Sequence, residues 1–233
     1  MKCVLCSSDS VFPLEFLKPA RRVFLRCPQC DLIFVPESHH LSPDEEVSRY
    51  KMHRNTLSNE GYVGMFLEKI AMVHQHCPGV NSVLDYGCGP APVLVELLKR
   101  DGFTCDVYDP YFFPKFPDGS YDLVISTEVF EHLRDIRAEL QRICKLLKPG
   151  GYLAVMTSLH DDVSDFENWW YKNDPTHICF FGARTFEWLA KEFGFRIVYM
   201  DKKNFVIFNK SLLFDQWQEL KELLIPCLLI VNR

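Results

Sequence analysis

Positions 83–92 read VLDYGCGPAP, and this run constrains the fold more than any other stretch of the chain. Val83, Leu84 and Tyr86 suit a buried strand. Gly87 and Gly89 suit a tight turn that lets backbone approach a ligand, and Val93 to Lys99 reads as the next helix. Strand, glycine turn and helix together make a nucleotide-binding geometry. A second strand, Thr104 to Tyr108, ends in Asp109. An acid about 20 positions after such glycines can bind ribose hydroxyls; Asp109 also suits a turn before Pro110. Tyr121 to Thr127 is an apolar run fit for a central parallel strand. Val129, Leu133, Ile136, Leu140, Ile143 and Leu147 then recur at helical spacing, and Pro149-Gly150-Gly151 ends that helix before a strand at Tyr152 to Thr157. Upstream, Tyr62 to Cys77 puts Phe66, Ile70 and Val73 on one helix face, stopped by Pro78-Gly79.

Composition narrows the function classes. The chain has 233 residues, 48% apolar and 24% charged, which excludes disorder as its main state. A net charge of -5 argues against a bulk polycation acting on nucleic acid, while leaving room for a local basic patch. No long apolar segment follows MKCVLC. The longest apolar run, Leu223 to Val231, is broken by Pro226 and falls short of the roughly 20 residues that span a bilayer. The expectation is a cytoplasmic protein without a membrane partner, whose 10 cysteines are reduced.

Four of those cysteines fall within the first 30 residues. Cys3 and Cys6 form one C-x2-C pair, and Cys27 and Cys30 a second. Two such turns close a four-thiolate shell suited to structural Zn²⁺, with no open position for catalysis. Residues 1–36 therefore read as a zinc-ribbon module. They carry five Lys or Arg against three Asp or Glu, an excess that suits a phosphate-bearing partner or a plain solvated face equally. Residues 37–60 are polar and read as a linker or lid.

The central motifs resemble the class I S-adenosylmethionine-dependent methyltransferases. VLDYGCGP, Asp109 after the second strand, FPDGSYDLVISTEVFEHL and LLKPGGYLAVMT carry the resemblance, over about residues 60–210. It implies an α/β, Rossmann-like methyltransferase fold with a seven-stranded mixed sheet, whose final hairpin would be residues 195–210. The implied catalytic domain spans 61–210. The resemblance puts cofactor binding at Asp85, Gly87, Gly89, Pro90, Asp109, Pro110, Thr127 and Glu128. One departure stands out. Only 11 residues separate Asp109 from Tyr121, and they include three Pro and three Phe, so the usual helix and third strand are shortened or missing. The adenine contact is then open: Tyr111, Phe112 or Phe113 could pack on the base or simply fill core.

The candidate catalytic residues are His177, Tyr171 and Glu131. An imidazole has the unperturbed pKa to take a proton near neutrality. Glu128, Glu131 and His132 are spaced to share one face of a helix start, and with His177 they make a candidate divalent-metal set. That arrangement is similar to small-RNA 2′-O-methyltransferases and ubiquinone-pathway O-methyltransferases. The same acids could instead cap the helix and touch cofactor without metal. Aromatic residues crowd positions 165–181, notably Trp169, Trp170, Tyr171, Phe180 and Phe181. They suit a substrate cover or a core. The four-cysteine module ahead of such a domain is also similar to deoxysugar C-methyltransferases and to zinc-ribbon rRNA methyltransferases. The expected acceptor is a small molecule, attacked through O, N or C. RNA is the alternative, and a non-catalytic zinc and cofactor-binding module a third reading. Residues 211–233 carry an apolar stripe (Leu212, Leu213, Trp217, Leu220, Leu223, Leu224) that suits a helical extension packed on the domain or a homodimer face.

Overall fold

The computed structural model describes residues 1–16, 21–52, 55–162 and 166–212. The stripe from Leu213 onward lies outside the described residues.

Three short strands, β1 (Phe12–Pro13), β2 (Leu25–Arg26) and β3 (Ile33–Phe34), make an antiparallel ribbon beside the cysteine turns. The helix α1 (Pro43–Tyr50) follows. Ser42 closes a capping box with Glu45, which fixes its start. Helix α2 (Glu60–His76) begins where Asn59 accepts a bond from the Tyr62 amide at 3.1 Å. Strands and helices then alternate: β4 (Ser82–Tyr86), α3 (Val93–Arg100), β5 (Thr104–Tyr108), β6 (Tyr121–Thr127), α4 (Ile136–Leu146) and β7 (Leu147–Met156). After β7 come β8 (Cys179–Phe180), α5 (Ala183–Glu192) and the hairpin β9 (Phe195–Met200) and β10 (Phe205–Lys210).

The main sheet runs β5-β4-β6-β7-β10-β9. Strands β4 to β7 are parallel, and β10 is antiparallel to both β7 and β9. Strand alternation sorts the core into two layers. Val83, Leu123, Ile125, Ala154, Met156, Phe205 and Ile207 face α2 and α3. Leu84, Tyr86, Val124, Leu153, Val155, Val206 and Phe208 face the opposite layer, where α4, α5 and the ribbon pack together. Each buried Val, Leu, Ile, Phe or Met among them contributes about 1.5–3 kcal/mol by leaving water.

The sheet has six strands among the described residues, not the seven that the resemblance implies. Strand β5 is therefore an edge. A parallel neighbour would need a crossover of a dozen or so residues plus the strand itself, and residues 110–120 are too few and hold Pro110, Pro114 and Pro117. The shortening visible in the sequence has removed one whole layer element.

Two local expectations change. The helix expected from Val129 begins only at Ile136, where the Asp135 side chain accepts from the Ala138 amide at 3.0 Å. A 3-10 turn, Phe130–His132, precedes it, and Glu128 stands in the left-handed region at φ 54. Glu128, Glu131 and His132 consequently do not share a helix face. The strand expected at Tyr152 starts at Leu147 and passes through Gly150 and Gly151.

The ribbon does not stand apart. Strand β8, from beyond the main parallel strands, joins it as a fourth strand, with Ile33 opposite Phe180 and Phe34 opposite Cys179.

Candidate active site

One cavity of about 480 Å³ opens at the C-terminal ends of β4, β5 and β6. That is where open α/β sheets bind ligands, and the volume is in the range of small-molecule sites.

The turn after β4 forms its floor. The Gly87 amide donates to the Tyr108 carbonyl at 2.7 Å, and Gly87 sits at φ 84. A Cβ there would stand 2.4 Å from Val129 Cγ2, so the position admits no side chain without movement. Gly89, at φ 67, has open space where its Cβ would be. Its amide donates to Asp109 Oδ2 at 2.9 Å. The Tyr111 and Phe112 amides donate to Asp109 Oδ1 at 2.9 and 3.0 Å. One buried carboxylate therefore ties the glycine turn to the end of β5. Asp85 is buried beside it with Oδ1 unpartnered. Burial, and then the charge of Asp109, push its carboxyl up to about 7. Pro90, Pro110, Tyr111, Phe112, Thr127 and Glu128 complete this part of the wall; Phe113 instead bridges Asp109 through its backbone.

The other wall comes from α1 and from the segment after β7. Glu46 on α1 pairs with Arg134 at 2.7 Å and accepts from the Tyr111 hydroxyl at 3.0 Å. Tyr50, one turn further, packs edge-on against His132 with ring centroids 5.3 Å apart. Arg49 makes a bidentate bridge to Asp174, at 2.9 Å (Nε to Oδ1) and 2.8 Å (Nη2 to Oδ2). Burial works against ionising Asp174, but its bonds from Arg49 and Thr176 win and hold it below the usual carboxylate range.

His177 faces the cavity and is 8% exposed. Its Nδ1 lies 2.8 Å from the Tyr171 carbonyl, which can only accept, so Nδ1 carries the proton and Nε2 is bare. His132 has the same tautomer, with Nδ1 2.9 Å from the Thr176 carbonyl. Burial pulls the His177 pKa down to about 4. Glu131 is fully buried, and neither carboxylate oxygen has a hydrogen-bond partner. The nearest ring nitrogen, His132 Nε2, is 3.8 Å away. Burial first, and then the charge of Glu131, push Glu128 well above the ordinary carboxylate range. Tyr171 is 1% exposed; its hydroxyl lies 3.2 Å from Thr157 Oγ1 and 3.4 Å from Glu128 Oε2.

Of the residues singled out from sequence, Asp85, Gly87, Gly89, Pro90, Asp109, Pro110, Thr127, Glu128 and His177 line the one cavity. Glu131 and Tyr171 sit behind that surface. Phe180 and Phe181 are core, and Trp170 is exposed, so the aromatic cluster does not act as a unit. Glu46, Tyr50, Tyr62 and Arg134 also line the cavity and were not singled out. The capping-box pattern Ser42 to Glu45, with Glu46 and Tyr50 spaced i, i+4, was the available signal for the first two.

At the ribbon, Cys3 and Cys30 sulfurs are 3.6 Å apart and Cys6 and Cys27 sulfurs 3.4 Å apart; all four lie within 4.8 Å of one another. Sulfurs about 2.3 Å from a tetrahedral Zn²⁺ stand roughly 3.8 Å from each other, so the cluster has the dimensions of a four-thiolate shell.

A family model described as a methyltransferase domain matches residues 57–200. The chain belongs to the methyltransferase-domain family. Among solved structures it is similar to the Burkholderia thailandensis 1,6-didemethyltoxoflavin-N1-methyltransferase, which holds 1,6-didemethyltoxoflavin and S-adenosylhomocysteine. The TM-score is 0.56 at 17% identity, over 85% of this chain and 99% of that one. An uncharacterised methyltransferase of Mycobacterium tuberculosis is 27% identical over 101 residues, 34% of this chain. The reducing polyketide synthase ppsB of Aspergillus oryzae is 36% identical over 77 residues, 30% of this chain. The match spans about half (51%) of the mycobacterial methyltransferase and 3% of the synthase. The fold is that of class I methyltransferases, and no described helix is long and apolar enough to cross a membrane.

Proposed function

We propose that the protein transfers a methyl group from S-adenosylmethionine to an O, N or C nucleophile on a small molecule. One observation carries this reading: a single cavity joins the Gly87, Gly89 and Asp109 cradle to the His177, Tyr50 and Glu128 wall. A cofactor and a compact acceptor would then share one enclosure; the Burkholderia thailandensis structure of similar fold holds a small-molecule substrate together with S-adenosylhomocysteine. Cysteines 3, 6, 27 and 30 would hold a structural Zn²⁺, for which their spacing is suited.

S-adenosylmethionine, when bound, supplies a methyl carbon whose bond to sulfur breaks with the electron pair staying on sulfur as the acceptor bond forms. The chain's residues bind and align. The glycine turn admits close backbone approach, and Asp109 holds that turn and offers its remaining lone pairs to ribose hydroxyls. Alignment of nucleophile and methyl group provides most of the acceleration. Where the acceptor is a hydroxyl or amine, its proton goes to His177 Nε2. Burial keeps that ring neutral at pH 7, and the Glu131 carboxylate behind it stabilises the imidazolium as it forms. Tyr171 acts by holding His177 through its carbonyl.

A second reading has its own observation. One donor atom from each of Glu131, His132 and His177 lies within 4.8 Å of the others, with both imidazole tautomers fixed by backbone carbonyls and the carboxylate unpartnered. A divalent cation there would lower the pKa of an acceptor hydroxyl. Glu128, expected as a fourth ligand, is not in that close set.

The test is transfer of labelled methyl from S-adenosylmethionine to a panel of small hydroxyl, amine and activated-carbon acceptors, with and without Mg²⁺ or Mn²⁺, beside an RNA pool. Small-molecule labelling that His177→Ala lowers at least tenfold, with cofactor affinity kept, supports the reading. Labelling confined to RNA would overturn it. Dependence on added cation would select the second form.

A further inference from the structure

The ribbon reaches the active site through one side chain. Arg22 lies between the two cysteine pairs, three residues before β2 begins at Leu25. Its Nη1 donates to the carbonyls of Pro175 (3.0 Å) and His177 (2.9 Å). Its Nη2 donates to the carbonyls of Lys172 and Asp174, the latter at 2.9 Å. All four terminal hydrogens of the guanidinium are thereby used, each on a different carbonyl of one six-residue stretch. Burial lowers the pKa of Arg22 and the nearby charge of Asp174 opposes that shift; among the described residues every hydrogen bond of the guanidinium goes to a backbone carbonyl, and its face lies over the Phe24 ring.

That stretch is the cavity wall. It holds His177, whose ring is fixed by the Tyr171 carbonyl, and Asp174, which anchors α1 through Arg49. The Thr176 carbonyl fixes His132. Four carbonyl dipoles aimed at one point repel each other and lack partners unless a cation fills the centre. The ribbon adds backbone ties immediately downstream: the Val35 amide donates to the Ile178 carbonyl at 2.8 Å, and β3 pairs with β8.

We infer that Arg22 is a positioning residue for the acceptor wall, and that the cysteine ribbon serves the active site by carrying it. The guanidinium shapes residues 172–177, and through them sets the rings of His177 and His132. The cofactor cradle at residues 85–91 and 109–112 makes no hydrogen bond to Arg22, so cofactor affinity should not depend on it. The link to catalysis rests on the methyl-transfer reading; the link to the wall's geometry does not.

The test compares Arg22→Gln and Arg22→Lys with the wild-type, zinc-loaded chain. Lysine keeps the charge but cannot fan four donors in a plane. Three readouts are taken: amide hydrogen exchange by peptide, carbethoxylation of His177 by diethyl pyrocarbonate followed by mass spectrometry, and titration with S-adenosylhomocysteine. Both variants should exchange at least tenfold faster over 171–178 and react at least fivefold faster at His177. Exchange in β4, β6 and β7 should be unchanged, and S-adenosylhomocysteine affinity should stay within twofold. Wild-type exchange over 171–178 in either variant overturns the inference. So does faster exchange throughout the main sheet, which would make Arg22 a keystone of the fold rather than of the wall. Should Arg22→Gln fail to fold, the Lys variant decides alone. A wild-type chain that binds no S-adenosylhomocysteine would count against the methyl-transfer reading, while the exchange result would still judge Arg22.

Discussion

Replacing Glu131 with glutamine should stabilise the protein. The carboxylate is fully buried, and no hydrogen bond reaches either oxygen. The imidazoles beside it give no hydrogen bond: burial keeps His177 neutral with its Nδ1–H on a backbone carbonyl, and His132 Nε2 stands 3.8 Å away. The closest groups that could offer a proton are the Glu128 carboxyl and the Tyr171 hydroxyl; burial first, and then the Glu131 charge, holds both protonated, so what compensation the charge receives comes from these two protons. A buried charge without full compensation costs several kcal/mol, and exchanging buried ionic groups for uncharged side chains of similar volume is neutral or gains about 1–4 kcal/mol. The glutamine amide can also donate to His132 Nε2, now 3.8 Å from the carboxylate. We expect Glu131→Gln to gain about 2 kcal/mol, or roughly 4–8 °C in melting temperature for a chain of this size. Urea denaturation and calorimetric melting at pH 7, without added divalent cations, measure it. Methyl transfer should fall at the same time, since the charge that would stabilise a His177 imidazolium is gone. A variant less stable than wild type by 1 kcal/mol or more would refute the reasoning. The charge would then be compensated in solution, and the cation reading requires in that case that Mn²⁺ raise the melting temperature of wild type and not of the variant.

The glycine turn gives a paired prediction. Gly87→Ala should cost about 2–4 kcal/mol from left-handed strain and its clash with Val129, whereas Gly89→Ala should cost about 1 kcal/mol from strain alone; thermal melting separates them. Cys30→Ser should lower bound zinc well below one per chain by elemental analysis, and lower the melting temperature with it. His177 contributes a pH dependence of defined sign. Its folded pKa of about 4 lies below the 6.5 of a free imidazole, so the unfolded chain binds more protons between those values. The stability it provides is complete above pH 6.5 and is lost as pH falls towards 4. It amounts to about 3 kcal/mol, visible as the difference between wild type and His177→Asn in urea denaturation at pH 7.5 and 4.5.

What could be read from sequence was local. Tyr121 to Thr127 is a strand because an uninterrupted apolar run suits a position buried on both faces, and the structure places it at the centre of the sheet. Thr104–Tyr108 and the 195–210 hairpin carried equally local signals. The 11-residue gap after Asp109 was enough to foresee a missing layer, although the family resemblance still implied seven strands. What escaped depended on distant parts of the chain. Helix α4 starts at Ile136 because Asp135 caps it, and a periodicity count running back through Leu133 and Val129 cannot see a cap win. Strand β8 is two residues long, too short for any period, and exists because β3 lies beside it. Tyr50 and Glu46 enter the cavity only because Arg49 and Glu46 find partners more than 80 residues away. Arg22 was one of the five basic residues of the ribbon, with nothing local to set it apart; its four carbonyl partners lie about 150 positions downstream.

The central claim is that the cavity above Gly89 and Asp109 holds the cofactor, and titration calorimetry with S-adenosylhomocysteine tests it most directly. Zinc-loaded wild type should bind in the micromolar range, while Gly89→Ala, folded and melting within a few degrees of wild type, should bind at least tenfold more weakly. A well-folded wild-type protein that gives no heat of binding, or a Gly89→Ala variant that binds as tightly as wild type, would contradict it.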